Sequence, residues 1–338
     1  MKFFKILAAS VLTLSLAACG GGGGGASGTG STTATSGSIG NNNGNGSTGG
    51  NTGNVLFVGD YGNHAFAAFT TLTPAAGSSI SANVLGTNGL TMWNGLALDA
   101  EHDRLYSSAG LQIAVFEHAS ALNGIITPTR LITPKMDYSS LWDMVLDKVH
   151  DRLYVKYNVG LGGAIAVFDN ISTLSGTVAP TRRIDRMLGY DYMVDFRRNT
   201  LYVLGWSHDQ LYTYPNADQI NGFLPIVTPV KLAALTNKDV RGLSLDEQHD
   251  RLYMGVPGVG IAMLDQASTG ASQVNFVSLP NQATHSGVAY DAAHDRLYAG
   301  LDNQVYIFNS ASSLAPGNSS SATQISAPAG SMITTFAF

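Results

Sequence analysis

His102-Asp103-Arg104-Leu105-Tyr106 decides how this chain is read. The five residues return as His150-Asp151-Arg152-Leu153-Tyr154, His249-Asp250-Arg251-Leu252-Tyr253 and His294-Asp295-Arg296-Leu297-Tyr298. A weaker copy stands at Arg198-Asn199-Thr200-Leu201-Tyr202. Successive tyrosines lie 48, 48, 51 and 45 residues apart. A period of that length, built from strand-forming residues, marks a circular or stacked array. An aspartate precedes each tyrosine by seven residues, at Asp99, Asp147, Asp195, Asp246 and Asp291. Constant spacing implies a constant hairpin, and a short carboxylate there can accept backbone N–H groups and set the turn.

One unit reads as four strands. Gly95–Asp99 is innermost, Arg104–Ser108 second, Gln112–Phe116 third and Thr129–Ile132 outermost, with Glu117–Pro128 as a connecting loop. Four strands in a unit of this length form a propeller blade. Leu105 and Tyr106 point to opposite faces of one strand, yet both are bulky, which suits a sheet packed on both sides. The ends complete the count. Val55-Leu56-Phe57-Val58 reads as a second strand without its inner strand, and Ser331–Phe338 as an inner strand without partners. The expectation is an all-β, six-bladed β-propeller of four-stranded blades over residues 55–338, its first blade closed by the C-terminal strand. Closure of the ring removes exposed sheet edges.

The Asp-x-x-His-Asp-Arg-Leu-Tyr units and the Val-Phe-x-x-Ala-Ser-x-Leu-x-Gly runs (Val115–Gly124, and Val167–Gly176 with Ile171 in place of Ala) resemble six-bladed propellers of the bacterial NHL and YVTN-like group. The resemblance implies the architecture and places ligand sites on the face around the central channel. It does not choose among the group's binding scaffolds and enzymes.

Residues 1–18 read as a signal peptide. Lys2 and Lys5 flank a short apolar stretch, Ile6–Ala18, which is too short to span a bilayer as a helix. Leu16-Ala17-Ala18-Cys19 resembles a bacterial lipobox, which implies a diacylglycerol on the Cys19 thiol and a membrane anchor. Cys19 is the single cysteine of the chain, consistent with an exported protein without disulfides. Gly20–Asn54 holds only Gly, Ser, Thr, Asn, Ala and one Ile. With so little to bury it reads as a flexible tether, about 33 Å from end to end. Gly20 and Gly21 after the cysteine resemble outer-membrane sorting signals.

The formal charge is −5, and −7 once Lys2 and Lys5 leave with the signal. An acidic domain without Lys/Arg runs argues against a nucleic-acid partner. No Gly-x-Ser-x-Gly elbow is present.

The four His-Asp pairs fall on separate blades. Neighbouring sheets pack about 10 Å apart, so these histidines cannot converge on one metal and are read as turn formers. Residues that break the repeat collect at the opposite end of the ring. Loops entering the inner strands carry Trp93, Asn94, Trp142, Asp143, Tyr190, Asp191, Arg241 and His285. Loops between second and third strands carry Tyr157, Asn158, Trp206 and His208. Aromatic rings beside polar groups are the ingredients of a recognition surface for a protein or glycan. Asn94, Asp143, Asp191 and His285 also offer oxygen and nitrogen ligands for calcium or another divalent metal. Resemblance to six-bladed lactonase-like hydrolases supports such a metal, although that family's Glu and paired Asn ligands are missing. No cofactor is otherwise expected. A structural role in a surface assembly is a third expectation.

Overall fold

The computed structural model describes residues 55–60, 65–70, 72, 83–87, 90, 92–159, 162–187, 189–279, 286–318, 322–327, 329 and 331–338. Cys19 and the segments expected to be signal and tether lie outside them, as does His285. Six sheets make six blades. The first joins Ile333–Ala337 to Leu56–Asp60, Ala65–Phe69 and Asn83–Thr87. From the inside outward, the second has Met92–Asp99, Arg104–Ala109, Gln112–Glu117 and Arg130–Pro134. The third has Ser140–Asp147, Arg152–Val159, Gly162–Asp169 and Arg182–Met187. The fourth has Gly189–Asp195, Thr200–Gly205, Gln210–Pro215 and Val230–Lys231. The fifth has Arg241–Asp246, Arg251–Val256, Gly260–Asp265 and Val274–Ser278. The sixth has Ser286–Asp291, Arg296–Leu301, Gln304–Asn309 and Thr323–Ser326. Ring closure is as the ends of the sequence predict: Phe336 pairs with Val58 and Ala337 with Phe57, antiparallel.

The Leu-Tyr dipeptide of each motif joins the blades. Leu105 packs in the apolar layer against the first blade, while Tyr106 packs in the layer against the third. Leu153 and Tyr154 divide in the same way, as do Leu252 and Tyr253. All five motif tyrosines are fully buried. Burial of one such side chain contributes about 1.5–3 kcal/mol, so this single dipeptide supplies much of the cohesion between sheets.

The two aspartates of each motif have separate tasks. Asp99 Oδ1 accepts the His102 N–H at 3.3 Å, and Asp99 Oδ2 lies 2.8 Å from His102 Nδ1. The same pairing recurs at Asp147–His150, Asp246–His249 and Asp291–His294. The second aspartate sits in the left-handed region, Asp103 at φ 53° and Asp151 at φ 49°, which Asp and Asn tolerate best among residues with a Cβ. Its carboxylate clasps the serine of the Ala-Ser run. Asp103 accepts Ser120 N–H at 2.7 Å and Ser120 O–H at 2.8 Å, and Asp151, Asp250 and Asp295 hold Ser172, Ser268 and Ser312 alike. In the fourth blade the partners are exchanged: Asn199 donates to Asp218 and accepts the Asp218 N–H at 2.9 Å.

Two features depart from the sequence expectation. Glu117–Pro128 is not only a loop. It forms a 3-10 turn at Ala119–Ala121, and Ile125–Ile126 then pairs in parallel with Gly86–Thr87 of the preceding blade. Gly176–Val178, Gly222–Phe223 and Gly317–Asn318 likewise extend the second, third and fifth blades. Backbone groups at an outer strand need partners, and the next repeat supplies them. The inner strands are also longer than expected. Trp93, Asn94, Trp142, Asp143, Tyr190, Asp191 and Arg241 lie within them rather than in loops, as Tyr157 and Asn158 lie within a second strand. Register shifts at this level of the first five inner strands mark β-bulges. A bulge adds a residue and re-aims the side chains beside it, so this end departs from the repeat without leaving the sheet.

Candidate functional site

The residues brought together at the channel mouth come from the third, fourth and fifth blades. Lys156, on the second strand of the third blade, is almost wholly buried. Its Nζ donates to Asp143 Oδ2 at 3.4 Å and to the Tyr190 carbonyl, and lies 5.2 Å from the centre of the Tyr190 ring. Burial works to lower the pKa of this ammonium, but Asp143 and Asp191 outweigh it and the net direction is upward. Asp191 is buried as well. Its Oδ1 accepts the Tyr192 N–H at 2.8 Å. Burial first, and the Asp143 charge second, push its carboxyl up to about 7 against the pull of Lys156.

Tyr190 is the hub of the outer part. Its ring meets Trp206 edge-on at 6.4 Å and His208 at 5.0 Å, and Arg241 lies over it at 5.6 Å. Arg241 Nε donates to Asp239 Oδ2 at 2.9 Å, and His208 Nδ1 accepts the Val240 N–H at 2.9 Å. Trp206 is 52% exposed, so a large aromatic surface stands open in this cluster.

Below this cluster, the inner strands of all six blades enclose a cavity of about 110 Å³, with Asp143 and Asp191 in its wall. That is room for about three or four waters, well short of the roughly 300 Å³ of a small-molecule pocket.

Six of the residues anticipated from sequence therefore form one network: Asp143, Tyr190, Asp191, Trp206, His208 and Arg241. Trp142 donates its Nε1–H to Ser140 Oγ at 2.8 Å. Trp93 and Asn94 lie in the strand Met92–Asp99, and their side chains, like His285, are outside the described set. Lys156 and Asp239 were not anticipated. Lys156 had a signal: two residues after the motif tyrosine, the other copies have Ser108, Leu204, Gly255 and Gly300. A lysine among small and apolar residues at a buried position needs a charged partner.

Lys156 also bears on the expected metal. The ammonium is already paired with Asp143, one of the carboxylates that would have held it. Among the described residues, no group of three or more His, Cys, Asp or Glu is gathered as a metal site requires. Of the expected ligand set, the side chains of Asn94 and His285 lie outside the described residues.

The class that fold and mouth define is a six-bladed β-propeller with a cavity of about 110 Å³ beneath an aromatic and charged rim. One solved structure of similar fold is the crystal structure of a nidogen/laminin complex. The match has a TM-score of 0.55 and 16% sequence identity and covers 84% of this chain and 97% of that one. At this identity the likeness concerns the fold. No protein-family model matches the chain, and neither does any curated protein.

Proposed function

We propose that this chain is a bacterial envelope lipoprotein of the NHL/YVTN-like kind, lipidated at Cys19 and held at the outer membrane by the 19–54 tether. Its 55–338 propeller is a non-enzymatic scaffold for a protein or glycan partner. The observation that carries the reading is the half-exposed Trp206 set against Tyr190, whose ring Arg241 also contacts. Aromatic and arginine side chains held in place by neighbours are the residues that dominate binding energy at interfaces. A propeller of similar fold occurs in a complex named for two proteins, which fits a protein partner. The small channel volume and the internal cation weigh against a metal-dependent lactonase in the mouth.

Photo-crosslinking in the intact cell tests this. A benzoylphenylalanine at position 206 of the full chain traps a discrete adduct, and one at Gln248, at the opposite end, does not. Arg241→Ala lowers the yield at position 206 without shifting the melting temperature. Equal labelling from both positions, or none from 206, overturns the reading. For the anchor, Cys19→Ser moves the protein out of the membrane fraction; unchanged partitioning overturns that part alone.

A further inference from the structure

The larger void of the ring lies at the other end. Between the hairpin turns is a cavity of about 650 Å³, to which all six blades contribute. Its walls include Leu146, Leu245, Tyr290 and Phe338, and the Phe338 ring is braced by Tyr298 at 5.3 Å. This volume falls within the range of small-molecule sites, and walls that are mostly apolar are their usual lining.

Its lining carries two acids and two basic residues, and they are held differently. Its two acids are engaged by the protein itself. Glu247 Oε1 accepts the Phe196 N–H at 3.0 Å, and burial pushes its carboxyl up. Asp291 accepts N–H groups of Ala293 and His294 at 3.0 and 3.2 Å and faces the His294 ring at 2.7 Å. Lys148 and Arg197 also line the cavity, both are exposed, and neither side chain pairs with an acid among the described residues. Two exposed cations at the lip of an apolar bowl, whose acids are already hydrogen-bonded by the protein, fit one kind of occupant.

We infer that the hairpin-turn end of the ring is a second binding site, for a small amphiphile whose apolar body sits among Leu146, Leu245, Tyr290 and Phe338 and whose anionic group is held by Lys148 and Arg197. The site is separate from the aromatic mouth and does not depend on the function proposed for it.

The probe is 8-anilinonaphthalene-1-sulfonate, which carries fused rings and one fixed negative charge. Titrated into the folded full chain in detergent below its micellar concentration, it binds saturably at one site. Its uncharged counterpart, N-phenyl-1-naphthylamine, binds about tenfold more weakly or worse. The double variant Lys148→Glu, Arg197→Glu loses about tenfold or more in sulfonate affinity and keeps its melting temperature, because both side chains are exposed and unpaired. Ala293→Trp fills the bowl and abolishes binding of both probes, and Trp206→Ala at the far end changes neither. Non-saturable uptake, equal affinity for the two probes, or an unchanged affinity in the charge-reversed protein overturns the inference. So does loss of the site in Trp206→Ala.

Discussion

Exchanging Asp191 for asparagine replaces one carboxylate oxygen by an amide group and tests the buried acid directly. In the folded protein this carboxyl is pushed up to about 7, by burial first and by the Asp143 charge second. In an unfolded chain it titrates near 3.9. Between those values the folded state keeps a proton that the unfolded state has lost. The stability this group contributes is therefore complete below about pH 4, drains away as pH rises, and is gone above about pH 7. Between about pH 5 and pH 8 the loss is about 2–3 kcal/mol. With a urea slope near 3 kcal/mol/M, the unfolding midpoint falls by roughly 0.8 M over that range. In Asp191→Asn the amide oxygen of the new side chain can still accept the Tyr192 N–H, so the strand is kept. Urea titrations of both proteins at the two pH values isolate the term, because all other groups are shared. Midpoints that move in parallel, or a parent that gains on the variant as pH rises, refute the reasoning.

Three further outcomes are expected. Lys156→Met strands two carboxylates without their cation; it costs about 3–5 kcal/mol near pH 8 and less near pH 5, where Asp191 holds its proton, as read by thermal melting at each pH. Asp103→Asn weakens the clasp on Ser120 and costs about 1–3 kcal/mol, and adding Ser120→Asp recovers most of it by installing the fourth blade's Asn–Asp pair, as measured in a double-mutant urea series. Removing residues 331–338 uncovers Leu56 and Val58 and deletes the buried Ile333 and Phe336. The apolar loss is about 5 kcal/mol, comparable with the stability of a whole domain, so gel filtration is expected to show aggregate in place of monomer.

Blade number and closure were legible because a propeller repeats its unit at fixed length: five aspartate–tyrosine spacings and two complementary ends determine the ring. The opposite facing of Leu105 and Tyr106 followed from strand alternation alone. The partner of Asp103 did not, because Ser120 lies beyond a turn whose left-handed entry no periodicity reveals. The short parallel strands were hidden for a similar reason, since two residues such as Ile125-Ile126 are too few to carry a pattern. At the mouth, residue types that broke the repeat pointed to the right end for Asp143, Tyr190, Asp191, Trp206, His208 and Arg241. Bulges then set their positions, which kept them in strands instead of loops. Lys156 sits inside a strand, where a search of the loops does not reach it, while the repeat itself, aligned copy against copy, isolates it. The turn-end bowl could not be read at all, since its walls come from a few residues of every blade.

The short parallel strands have a consequence for how such a protein can be re-engineered. Because Ile125-Ile126 hems the vane before its own, and three other segments do the same, no vane so hemmed coincides with a single stretch of chain. A graft cut from motif to motif would bring its own core and leave its predecessor frayed. Working grafts have to be phased from one 3-10 turn to the next, so that each transplanted piece carries the selvedge its neighbour borrows.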